Sequence, residues 1–221
     1  MRHLAPPDDA AAAFGGVDEY RTHGSRATDT PSRRIRRTMS PLARLADELG
    51  TTDRTLRRAV KRGLVKARRP SPRKIEIELD ERIYLRKNWT TLSDLTEALR
   101  TEPSVRTAIL FGSMARGDGH AGSDIDLFVD LRDAAPGARL DLRRRLERAS
   151  GRSVQLVPRR AGRQSPSLLA EVLRDGRPVV DRDCVWPSLL SQKPAVDRAA
   201  RAEARERAVR LADISNRKAA A

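Results

Sequence analysis

Leu110-Phe111-Gly112-Ser113-Met114-Ala115-Arg116-Gly117-Asp118-Gly119-His120-Ala121-Gly122-Ser123-Asp124-Ile125-Asp126-Leu127-Phe128-Val129 is the stretch on which the fold turns. Val105 to Leu110 has the length and apolarity of a short strand, and Asp124 to Leu131 alternates polar and apolar residues as a half-buried strand does. Gly112-Ser113, a helical turn and a Gly-rich loop lie between them. Side chains on a strand alternate between faces, so Asp124 and Asp126 share one face while Ile125 and Leu127 point to a core on the other. Carboxylates placed in this way can hold divalent cations between them. Two such ions held about 3.5–4 Å apart clamp a triphosphate and lower the pKa of an attacking hydroxyl, as phosphoryl or nucleotidyl transfer requires. Gly112 lets the backbone approach phosphate closely, and Ser113 and the neighbouring amides can donate to phosphate oxygens. An Asp-x-Asp pair alone is an ordinary surface feature; its combination with Gly-Ser and two strands is the specific signal.

Downstream, an amphipathic helix from Gly137 to Ser150 precedes a third strand, Ser153 to Val157, and a helix over Pro166 to Arg174. This alternation marks a small α/β unit. Ala195 to Ile214 carries an Ala/Arg/Glu helical pattern, with Glu203 and Arg207 spaced for a surface pair, as a docking arm or a solvated tail. Upstream, a helix from Asp80 to Arg100 takes much of its apolar face from Ile83, Leu85, Trp89, Leu92, Leu95 and Leu99. Before it, Ser40 as N-cap and Pro41 at the first helical position open a helix with Leu42, Leu45, Ala46 and Leu49 on one face. Gly50 ends it, and Thr52 or Asp53 caps another whose Leu56, Ala59 and Val60 point inward. Arg54, Arg57, Arg58 and Lys61 are left outward as candidate DNA contacts. Leu64 to Leu79, folded about a basic Pro-Ser-Pro turn, has the outline of a wing beside that helix.

The expected fold class is therefore α+β. A mostly helical winged helix-turn-helix unit occupies 39–79, a connecting helix 80–101, a small mixed-sheet domain 102–187, and a basic helix or tail 188–221. Residues 1–38 show neither period and are expected to be disordered; the first apolar pattern begins after Met39, where translation is expected to start.

A net charge of +15 favours polyanionic partners, with an Arg- and Ala-rich compositional bias as the alternative. With aromatics at 3%, a core must rely on Leu, Val, Ile and Ala, and Trp89 and Trp186 are packing residues rather than a base-stacking platform. Cys184 is the one cysteine, which excludes an internal disulfide, and His3, His23 and His120 are too scattered for a zinc site. No apolar run is long enough to span a bilayer and no signal peptide is evident, so a cytoplasmic protein is expected.

Gly112-Ser113, ten intervening residues and Asp124-Ile125-Asp126 between strands together resemble the signature of the polymerase-beta nucleotidyltransferase superfamily. Ala115-Arg116-Gly117 and Ser123 are similar to its minimal-nucleotidyltransferase branch, which often occurs in toxin–antitoxin pairs. The resemblance covers about residues 92–185 and implies a nucleotidyltransferase domain with a nucleoside triphosphate such as ATP as donor and Mg²⁺, two ions, as cofactor. It implies that Gly112 and Ser113 contact the triphosphate, that Asp124 and Asp126 bind metal and carry catalysis, and that Arg116 and Ser123 assist nucleotide binding. Arg116 could equally pair with Asp118, and His120 in its Gly-flanked loop is expected to be solvent-exposed. The family usually places a third carboxylate on the following strand in a Val-Asp-Leu context, whereas this chain has Val154-Gln155-Leu156-Val157. A neutral amide neither accepts a proton at physiological pH nor binds Mg²⁺ well, and neither Asp130 nor Asp141 can be assigned to replace it. Two functions follow: an enzyme that transfers a nucleoside monophosphate to a protein or RNA hydroxyl, coupled to DNA binding, or a catalytically degenerate DNA-binding regulator such as an antitoxin that binds a partner toxin.

Overall fold

Ser40 accepts a hydrogen bond from the Ala43 N–H (3.1 Å) and starts α1, Pro41–Glu48, whose Leu42, Leu45 and Ala46 are buried. The computed structural model describes residues 39–71, 74–120, 122–132 and 137–219; the disorder expected for 1–38 and the start at Met39 concern residues outside these. Thr52, not Asp53, caps α2, Asp53–Arg62, by accepting from the Thr55 N–H (3.1 Å). Leu56, Ala59 and Val60 are buried on its inner face, and Gly63 ends it in the left-handed region at φ 90°. Strands β1, Arg68–Ser71, and β2, Lys74–Glu76, then form an antiparallel pair.

Helix α3 runs over Leu79–Arg100 and buries Leu85, Trp89, Leu92, Leu95 and Leu99 as expected. Ile83, assigned above to that face, is 54% exposed. It lies two residues from Leu85, about 200° around the helix, and Tyr84 takes the inward place. Leu79 opens this helix instead of closing a strand.

A four-stranded sheet follows in the order β5-β4-β3-β6, made of β3, Val105–Phe111; β4, Ile125–Leu131; β5, Val154–Pro158; and β6, Arg177–Asp181. Strand β3 pairs antiparallel with both β4 and β6, while β4 and β5 are parallel and joined through α5, Ala138–Ser150. This is the mixed sheet expected. Strand β6 escaped the sequence patterns because Pro178 interrupts it, and it is an edge strand, where a missing N–H is tolerated. Helix α4, Gly112–Arg116, follows β3; α6, Arg159–Gln164, and α7, Pro166–Asp175, link β5 to β6; α8, Val185–Ser191, and α9, Lys193–Ala219, follow.

Both faces of the sheet are covered. Leu110, Ile125, Leu127 and Val129 join a cluster that continues through Leu92 and Leu95 to Leu42, Leu45 and Leu56. Ile109, Phe111 and Phe128 pack with Val172, Leu173, Val185 and Leu189 on the other side, against which Trp186 is also packed. Strand β4 is therefore buried on both faces along most of its length, rather than on one, and its polar positions crowd toward its ends. The expected boundary near residue 79 coincides with no break in the core, because residues 39–221 form one compact unit. No helix among the described residues is long and apolar enough to cross a membrane.

One guanidinium ties these layers together. Arg177 on β6 makes a bidentate pair with Glu81 (2.6 and 2.9 Å), donates to the carbonyls of Ala115 (2.7 Å) and Leu64 (3.2 Å), and lies 3.7 Å from the centroid of the Tyr84 ring. Glu81 also accepts from the Lys66 N–H (3.0 Å), so the carboxylate is shared by both ends of the unit. Both side chains are nearly fully buried, and losing one partner strands a charge. Arg177→Met is expected to cost about 3–5 kcal/mol in a denaturant melt, and Arg177→Met/Glu81→Leu to recover most of it. A single variant as stable as wild type would show that the pair contributes nothing.

Candidate functional site

Strand β3 delivers the chain into Gly112, whose φ of +69° lies where a side chain is strained. A methyl group there would also collide with Oδ2 of Asp126. The close approach follows from the register, which pairs Phe111 with Asp126 across β3 and β4. Glycine thus brings the start of α4 against the carboxylate. No side chain caps this end of α4, so its first amide donors are left for water or a ligand. Ser113 is half-buried, and its carbonyl accepts from the N–H groups of Gly117 (2.9 Å) and Gly119 (3.2 Å), closing the turn into the loop.

Asp126, in β4, is half-buried, and Asp124, one residue before the strand, is exposed. Among the described residues neither makes an ion pair, although the chain carries 45 Lys and Arg. Burial pushes the Asp126 carboxyl above its ordinary range, Asp124 and Glu171 add to the effect, and Arg116 opposes it. Neighbouring anions without a protein counter-ion fit a divalent cation, which would relieve their repulsion. No group of three or more His, Cys, Asp or Glu among the described residues is placed to hold a metal, so any ion here needs oxygens from substrate and water to complete its shell. In the parallel register Gln155 stands beside Asp126, exposed on the same edge.

The Gly-rich loop is held from two sides. Lys87 donates to the Gly119 carbonyl (2.7 Å), and Arg152 donates to the carbonyls of His120 (3.1 Å) and Ser123 (3.4 Å). The Ser123 hydroxyl accepts from the His120 N–H (2.9 Å), which makes it a brace of the loop beside Asp124. His120 is exposed, with Nδ1 accepting from the Gly122 N–H (3.1 Å).

Arg116 pairs with Asp118 (3.1 Å), one of its two expected fates, and also with Glu171 (3.2 Å) and Asp175 (3.3 Å) of α7. These two acids were missed by sequence reasoning, since they stand 55 and 59 residues away and belong to no motif. Asp130 forms a salt bridge with Arg159 (2.8 Å) at the far end of β4, and Asp141 lies exposed on α5. On α2, Arg54, Arg57, Arg58 and Lys61 are all exposed; Arg57 is held by Asp53 (2.6 Å), while the other three have no ion-pair partner among the described residues.

Residues 93–184 match the family model described as polymerase beta, nucleotidyltransferase. Among solved structures, a toxin-antitoxin crystal structure with AMP-PNP is 25% identical, with coverage of 56% of this chain and 98% of that one and a TM-score of 0.44. Tri-AMPylated Shewanella oneidensis HEPN toxin in complex with MNT antitoxin is 22% identical, with coverage of 58% and 98% and a TM-score of 0.42. No curated protein matches.

The raised Asp126 carboxyl gives a signed prediction. Its folded form holds its proton more tightly than the unfolded chain, so ionised Asp126 destabilises the metal-free protein as pH rises through the ordinary carboxylate range. Asp126→Asn should melt above wild type at neutral pH without divalent ions, and the gap should close below that range. A lower melting temperature for Asp126→Asn would show that the carboxylate is compensated inside the protein. Gly112→Ala is expected to lower the melting temperature, because the methyl meets both strain and Asp126.

Proposed function

We propose that this chain, whose residues 93–184 form a nucleotidyltransferase domain of the polymerase-beta type, transfers a nucleoside monophosphate from a triphosphate to a hydroxyl acceptor. The observation that carries this reading is the close approach of Gly112 to an Asp126 carboxylate that, like Asp124, makes no ion pair among the described residues. Asp124 and Asp126 would hold Mg²⁺, which when bound supplies charge to the triphosphate. Gly112, Ser113 and the first amides of α4 would receive phosphate oxygens, and Arg116 would turn from Glu171 and Asp175 toward them. In the transfer the acceptor oxygen forms a bond to the α-phosphorus, the bond to the bridging oxygen breaks, and pyrophosphate leaves with the electron pair. The hydroxyl proton passes to water, since Gln155 cannot take it.

Gln155 favours a second reading, in which the site binds nucleotide without turnover and the chain acts as a DNA-binding regulator or antitoxin that engages a partner toxin. In this reading α1, α2 and the β1–β2 hairpin form a winged helix-turn-helix whose Arg54, Arg58 and Lys61 meet DNA phosphates.

Incubation with α-labelled triphosphates, Mg²⁺ and a cell extract decides between them. Label transfer that falls at least 100-fold in Asp124→Ala/Asp126→Ala is expected; labelling indifferent to both acids removes the enzymatic reading. For the regulator, a mobility shift on duplex DNA should weaken uniformly in Arg54→Ala/Arg58→Ala/Lys61→Ala, with a shallower salt dependence. An unchanged shift would place DNA elsewhere.

A further inference from the structure

Beside Asp124 the surface is neither flat nor neutral. A cleft of about 650 Å³ is lined by Asp124 and Gln155 together with Arg139, Arg143 and the apolar side chains of Leu140 and Leu156. It adjoins at Ser153 a second, larger cleft of about 1170 Å³, lined by Arg144, Arg145, Arg148 and Arg152 together with the carboxylates of Asp141 and Glu147. Helix α5 supplies five of these arginines from 13 residues, all exposed. Some are committed: Arg143 is paired with Glu147 (2.8 Å), Arg145 with Glu102, and Arg152 with the carbonyls of the Gly-rich loop. Arg139, Arg144 and Arg148 pair with no carboxylate among the described residues. Six guanidinium groups face three carboxylates, Asp124, Asp141 and Glu147, across the two linings, so the face is net positive, and each planar fork matches two phosphate oxygens.

We propose that the acceptor is an RNA strand whose backbone phosphates lie along the arginine face of α5 and whose terminal ribose enters at Asp124 and Gln155. This rests on the transferase reading above. The lining of the larger cleft contains no apolar or aromatic side chain, so it lacks the anchors on which a protein partner's affinity depends. Phosphate contacts need none. Gln155 selects the sugar. An amide both donates and accepts, so it suits the 2′-hydroxyl that neighbours the reacting 3′-hydroxyl in RNA and is missing in DNA. A carboxylate at this position would only accept. The substitution at Gln155 is then a change of recognition as well as of charge. In the reaction the 3′-oxygen bonds to the α-phosphorus, pyrophosphate departs, and the strand grows by one nucleotide.

Fluorescence anisotropy with a labelled single-stranded RNA, the same sequence as DNA, and polyglutamate tests the face without requiring turnover. The full chain is used in an Arg54→Ala/Arg58→Ala/Lys61→Ala background, so that the N-terminal helices do not contribute. Arg139→Glu/Arg144→Glu/Arg148→Glu is expected to weaken RNA binding at least tenfold and to reduce the logarithmic salt slope by about two, at roughly 0.7 per phosphate contact on a single strand. Far-UV circular dichroism of the same variant should match its parent, which shows that it is folded. RNA binding is read without Mg²⁺ or triphosphate, so failure of transfer and failure of RNA docking are read separately. Gln155→Ala should erase the preference for RNA over DNA. RNA affinity indifferent to the three reversals, equal binding of DNA by the parent, or polyglutamate binding that displaces RNA would each overturn the proposal.

Discussion

Two carboxylates repel each other at the end of β4, and among the described residues neither is closed in an ion pair with an arginine or lysine. In a protein with net charge +15 this omission is a constraint on everything around it. Strand register sets Asp126 opposite Phe111, and the glycine that follows β3 packs its backbone against Asp126, where any side chain would strike it. The nearest arginine, Arg116, is diverted to Asp118, Glu171 and Asp175. The two carboxylates therefore keep a local excess of negative charge in the protein alone, which a bound cation would relieve.

The rest of the fold holds this edge still. Strand β4 is buried on both faces, so the position of Asp126 is fixed by Ile125 and Leu127 on one side and Phe128 on the other. The Gly-rich loop, which would otherwise be free, is fastened by Lys87 from α3 and Arg152 from the approach to β5. Arg177 adds a longer connection, since the same guanidinium touches the carbonyl of Ala115 in α4 and that of Leu64 behind α2. The segment that follows α2 and the backbone of α4 therefore share one buried group.

Much of this was legible in the residues. Alternation in Ile125-Asp126-Leu127 placed Ile125 and Leu127 in the core, Ser40, Pro41 and Gly50 marked the ends of α1, and the Leu pattern of α3 fixed its length to within a residue. What escaped has a physical cause. Pro178 hid an edge strand, Ile83 was assigned to a face without tracking its angle from Leu85, and β4 read as half-buried because an aromatic at 128 covers the side that Asp126 leaves open. Partners distant in sequence were invisible: Glu171 and Asp175 acquire meaning only when α7 packs beside α4, and Glu81 only when β6 joins the sheet.

Calorimetric titration of a non-hydrolysable nucleoside triphosphate into the full chain, with and without Mg²⁺, tests the central claim most directly. Binding that requires the ion in wild type and disappears in Asp124→Asn/Asp126→Asn is the predicted result. Equal binding with and without Mg²⁺, or binding that survives loss of both carboxylates, would contradict it.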